Sequence, residues 1–164
     1  MPNPETHSLR HYEDLAIGER IALGRVRVTR EMITGFAREF DPLPFHLDED
    51  AAKASLLGGL AASGWQTGAL SLRLLVDAFL SKIASAGGLG FENLKWRKPV
   101  LVDDEISGTV TISALRRSAS MPNRGIVTLD FDIRNQHDAV VMTMRLVNLV
   151  ELRDPAAPAG AGER

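Results

Sequence analysis

Residues Trp65–Ser85, WQTGALSLRLLVDAFLSKIAS, decide the fold. The stretch reads as one long helix, apolar on most of its surface. Arg73, Asp77 and Ser81 fall four apart on one narrow polar stripe. A helix that apolar must be covered on several sides. Gly87, Gly88 and Gly90 read as its end, and everything after them is strand-like: Phe91–Arg97, Glu105–Leu115, Gly125–Arg134 and Ala139–Leu152. The breaks are KPVLVDD, RRSASMPNR and NQHD. ISGTVTIS and VTLDFDIR alternate apolar and polar residues, as half-buried antiparallel strands do. The periodicity therefore predicts an α+β protein, one antiparallel sheet packed on one long helix.

Upstream, Ile17–Val28 (IGERIALGRVRV) alternates well enough for a strand. Thr29 is placed to cap a helix with Glu31 in its first turn, and Met32, Ile33, Phe36, Ala37 and Phe40 share one face. Asp48 is placed to cap a short second helix, Glu49–Ala54, and LLGGLAASG is a small-residue loop. At 164 residues the chain is long enough for one domain with a real core. The expected organisation is a flexible N-terminus over 1–11, a domain over 12–153 and a disordered Pro/Ala/Gly-rich tail over 154–164.

Nineteen Lys and Arg against 21 Asp and Glu leave a net charge of −2, which points to neither a nucleic-acid nor a membrane partner. Absence of cysteine removes disulfides and thiolate chemistry and suits a reducing cytoplasm. MPNPETHSLRHYEDL has no apolar core and reads as no secretory signal. Charges interrupt the richest apolar stretch, Gly64–Ile83, which a membrane-spanning helix of about 20 uncharged residues does not allow.

One short stretch carries the chemistry. In FAREFDPLPFHLDEDAA, Phe36–Ala52, the first helix stops and one carboxylate stands among two prolines and a histidine. Pro42 and Pro44 alone account for a kink. They push Asp41 and Leu43 out of the α region and stiffen the loop. Asp41 and His46, five positions apart across that kink, form a candidate acid–base pair able to reach one water.

DPLPFH resembles the Gly-Asp-x-Asn-Pro-Leu-His motif of the MaoC-like dehydratases and (R)-specific enoyl-CoA hydratases. Asp41, Pro44 and His46 match, with Ala51 and Ala52 following. GLAASGW resembles the family's turn into its central helix, and GLGFENLKWRKPVLVDDEI resembles its next strand and Lys-Pro-Val turn. The resemblance covers about residues 12–152. Phe40 and Leu43 depart from it, standing where the motif has Gly and a polar amide.

The resemblance implies a hot-dog fold, a curved sheet wrapped around the long helix. It implies reversible hydration of a trans-2-enoyl-CoA in fatty acid metabolism. Asp41 is expected to act as base and His46 as acid partner, with the Gly64 amide as oxyanion donor. Leu43, Phe45, Ser63 and Trp65 are expected to line the substrate. No metal or redox cofactor is expected, because the thioester itself acidifies C2. The expected partners are the acyl-CoA and a second copy of the chain, in a homodimer or higher homo-oligomer. Two alternatives remain open: a hot-dog acyl-CoA thioesterase and a non-catalytic acyl-CoA-binding subunit.

Other constellations are weaker. His46, Asp48, Glu49 and Asp50 have poor ligand spacing, and helix capping explains the acids. Arg116, Arg117 and Arg124 read as a solvated hairpin end. Trp96, Arg97 and Lys98 lie at a strand end that could line a CoA entrance, Trp96 reading first as a packing residue. Ser63 has no nucleophile-elbow pattern around it.

Overall fold

The computed structural model describes residues 8–156. Helix α1 spans Arg30–Phe40, α2 Glu49–Lys53 and α3 Gly64–Ala78. The strands are β1 (Arg20–Ala22), β2 (Val26–Arg27), β3 (Ser85–Trp96), β4 (Glu105–Arg117), β5 (Arg124–Arg134) and β6 (Val140–Glu151). They form one antiparallel sheet in the order β1-β4-β5-β6-β3, with β2 also pairing β4.

The sheet wraps α3 in the expected hot-dog arrangement. Strand alternation explains the core. On β5, Val127, Leu129, Phe131 and Ile133 are buried, while Thr128, Asp130, Asp132 and Arg134 stay half-buried on the opposite face. Leu74 and Leu75 of α3 join Val110, Ile112, Met142 and Leu146 in one cluster. The outer face is polar and ion-paired, as in Arg145 to Asp130 at 2.7 Å. Among the described residues no helix is long and apolar enough to cross a membrane.

The expected elements hold with shifted ends. Thr29 and Asp48 cap α1 and α2 as anticipated, accepting from the Met32 and Ala51 amides. The strand expected over 17–28 is two short pieces, β1 and β2. The long helix is the main correction, since α3 stops at Ala78 instead of running to Ser85. The cause is non-local. Residue 10 pairs with Ile83, the Arg10 amide donating to the Lys82 carbonyl and the Ala84 amide to the Arg10 carbonyl. Arg10 also lies over the Phe79 ring. Residues 80–82 turn as a 3₁₀ helix, and β3 begins at Ser85. The glycines read as a helix end are instead inside β3, where Gly87 takes φ of +118° at one of the strand's bulges.

Part of the expected loose N-terminus is thus fastened to the domain, and Arg10 also pairs with Glu19 at 2.7 Å. Most of the anticipated tail lies outside the described residues. Its first residues meet the 3₁₀ helix Tyr12–Asp14, where Glu13 accepts from the Arg153 and Asp154 amides.

Candidate active site

The kink after α1 is built by its prolines and tied by its own backbone. Asp41 caps α1 at φ −151° and ψ 66°, its amide still donating to Ala37. Leu43 is extended, and Pro44 opens a single 3₁₀ turn, Pro44–His46, where a loop was expected. The Leu47 and Asp48 amides donate back to the Pro44 carbonyl at 3.0 and 2.9 Å. The turn points His46 inward until it is 6 % exposed.

A second segment fixes the imidazole. His46 Nδ1 lies 2.8 Å from the Ala61 carbonyl oxygen. A carbonyl only accepts, so Nδ1 carries the proton, and Nε2 is the nitrogen free for exchange. Ala61 is held in turn by a bridge to Leu101, flanked by Ala62 N–H to Val100 and Val102 N–H to Leu60, both 2.8 Å. Nε2 then faces Asp41 Oδ2 at 3.4 Å. Phe45 packs edge-on against the imidazole, ring centres 4.7 Å apart.

The N-terminus of α3 completes the site. Ser63 caps it, its Oγ accepting from the Trp65 amide and its carbonyl from Thr67. The Gly64 amide, first in the helix, has no acceptor among the described residues. A side chain at Gly64 would start within 2.7 Å of three atoms of the Trp96 indole. Trp65 meets that indole edge-on, 5.8 Å between centres. A cavity of about 300 Å³ opens here, lined by Phe45, His46, Leu57, Gly64, Thr67 and Trp96, with Arg97, Lys98 and Val100 on the β3 side. Its lining holds two cations and no carboxylate.

The family model described as a MaoC-like domain matches residues 14–131. The chain belongs to that family. The MaoC-like dehydratase of Rhodospirillum rubrum is 44% identical over 88% of this chain and 98% of its own, with a TM-score of 0.79. An (R)-hydratase from A. caviae, described as involved in PHA biosynthesis, is 27% identical with a TM-score of 0.69, covering 85% of this chain and 99% of that one. YdeM, an uncharacterised protein of Bacillus subtilis, is 29% identical over 85% of this chain and 97% of its own length.

Within this MaoC-like domain His46, Gly64 and Phe45 share the cavity lining, while Asp41 meets His46 but is not itself part of that lining. Ser63 is buried and committed to capping, and Leu43 and Trp65 lie outside the lining. Thr67, Val100 and the Ala61 carbonyl were missed. Ala61 is placed by pairing with Leu101, 40 residues on, and Val100 by the Ala62 N–H, pairings for which no local pattern exists. Trp96, read first as a packing residue, is half exposed and lines the cavity.

Proposed function

We propose that this MaoC-like domain is an (R)-specific enoyl-CoA hydratase and 3-hydroxyacyl-CoA dehydratase. The reading is carried by one observation, the facing of Asp41 Oδ2 and His46 Nε2 at 3.4 Å with Nδ1 already occupied. Two groups that can both exchange protons, one on the cavity wall and the other facing it at 3.4 Å, suit the addition of one water across a double bond. The hydratase at 27% identity and the dehydratase at 44% identity support the same chemistry.

In hydration the pair begins with a proton on Nε2. The water oxygen bonds to C3 while Asp41 takes one water proton. His46 delivers its Nε2 proton to C2, and the C2–C3 double bond becomes single. Asp41 then returns its proton to Nε2, and the pair is reset. Negative charge that gathers on the thioester oxygen meets the free Gly64 amide and the positive end of α3. Thr67 and Val100 enclose the acyl group. Arg97 and Lys98 favour a phosphate-bearing carrier such as CoA.

We also propose a homodimer through β3. That strand is the sheet edge, and Leu89 and Phe91 on it, with Trp65 and Val76 on α3, leave apolar surface exposed.

A series of trans-2-enoyl-CoA thioesters tests the function. The expected result is loss of the conjugated-thioester absorbance without free thiol, and a 3R product. Release of thiol instead identifies a thioesterase, and tight binding of every acyl-CoA without turnover identifies a binding subunit.

A further inference from the structure

We propose that Trp96 is a specificity-determining residue whose indole walls the cavity at the substrate's C2 carbon, so that 2-branched enoyl thioesters are turned away. The proposal rests on the enoyl-thioester reading above and adds to it which substrates enter.

Trp96 ends β3 opposite Met142 and is half exposed. Its position is set from three directions. Gly64 lies beneath the indole, so close that a Cβ would meet Cε2, Nε1 and Cδ2 of the ring. Trp65 braces it edge-on at an interplanar angle of 79°. The backbone on its C-terminal side is tied to β6, with the Arg97 amide donating to the Val141 carbonyl at 2.8 Å. On its helix side the ring is stopped by the first turn of α3, while half of its surface stays open to solvent.

The atom that meets this wall follows from the proposed pose. The thioester oxygen faces the Gly64 amide, and C3 faces the water between Asp41 and His46. C2 lies between them, against the ring that covers Gly64. Carbon atoms need about 3.5–4.0 Å of separation, so a methyl branch at C2 competes with the indole for the same space. The far end of the acyl chain is further from Trp96, so chain length is read elsewhere.

The same geometry gives Gly64 a second reason to be glycine. The absent side chain makes room for Trp96 itself, apart from any approach by substrate.

The test compares wild type, Trp96→Phe and Trp96→Ala on crotonyl-CoA and on its 2-methyl derivative, with straight-chain enoyl-CoAs of increasing length alongside. The expected result is a rise of about tenfold or more in the ratio of kcat/KM for branched over unbranched substrate in Trp96→Ala, the scale of one methyl-sized group in a pocket. A smaller rise is expected in Trp96→Phe, and an unchanged chain-length profile in both. Gly64→Ala should lower Tm, and Trp96→Ala in the same chain should restore it. If crotonyl-CoA is hydrated and neither substitution moves the branched-to-unbranched ratio, the inference falls and the hydratase reading stands. If the wild type hydrates no enoyl-CoA at all, that reading falls and takes the inference with it.

Discussion

The cavity lies between two walls made on opposite plans. On one side, residues 41–54 combine two prolines, a 3₁₀ turn and a capped helix, and place a buried imidazole between a carbonyl and a carboxylate. On the other, β3 is exposed at every residue but Leu94 and shifts register three times along β6. The first wall has its polar groups fixed by short-range geometry. The second is a bare sheet edge, and its place is set by what it packs on. The proposed proton exchange would need the first plan, because a misplaced base loses its water. The proposed admission of a substrate and pairing with a second copy would need only a surface of the right shape.

The largest effect should come from breaking the fixed wall. Asp41→Asn and His46→Gln should each lower turnover on enoyl-CoA by about a hundredfold or more, the scale of a positioned acid–base group. The double variant should lose far less than the product of the two, since the residues act as a unit. Melting temperature measured beside the rate separates chemistry from folding. An Asp41→Asn variant as active as the parent would rule out the pair.

The open wall should fail differently. Phe91→Glu puts a charge on the exposed face of β3 and should reduce the mass seen by light scattering while the folded signal by circular dichroism remains. A dimeric mass unchanged by the substitution would place the subunit contact elsewhere, and a monomeric parent would rule out the proposed dimer.

Asp48→Ala removes the α2 cap beneath the fixed wall and should cost about 1 kcal/mol, read as a fall in Tm with little change in turnover.

The smallest effect concerns acid. A side-chain hydrogen bond from Arg10 holds Glu19 below the ordinary glutamate range, and one from Arg145 does the same for Asp130. A carboxylate depressed in the folded state stabilises it above the unfolded value and loses that contribution as pH falls through the folded one. Stability should therefore decline below about pH 4.5, the ordinary glutamate range. Glu19→Gln should flatten part of the decline in a melting series across pH 2–6.

How much of each wall was legible in the sequence follows the same division. Asp41, the prolines and His46 lie within six residues, and their geometry is local, so spacing marks them as a candidate pair and the family resemblance supplies their expected roles. The caps at Thr29 and Asp48 are local too, and so is the alternation of β4 to β6. Local signals fail where distant chain decides. The apolar period of α3 runs past Ala78, yet residue 10 takes Ile83 into a bridge and ends the helix. AGGLG looks like a stop, yet pairing with β6 makes it strand. The carbonyl that orients His46 belongs to an alanine, a residue with no chemical signature of its own. Gly64 was legible as a glycine at a helix start, but its contact with Trp96 was not.

The bond from His46 Nδ1 to the Ala61 carbonyl also gives the site a built-in reporter. A buried imidazole N–H that donates at 2.8 Å exchanges slowly with solvent. It should appear in proton spectra in water as a resolved downfield line, while the exposed His137 ring gives none. Because Ala61 is bridged to Leu101, next to the cavity residue Val100, the line should shift when an acyl-CoA enters, whether or not any turnover follows. Occupancy of the cavity can then be read separately from chemistry, in the Asp41→Asn variant as well as in the parent.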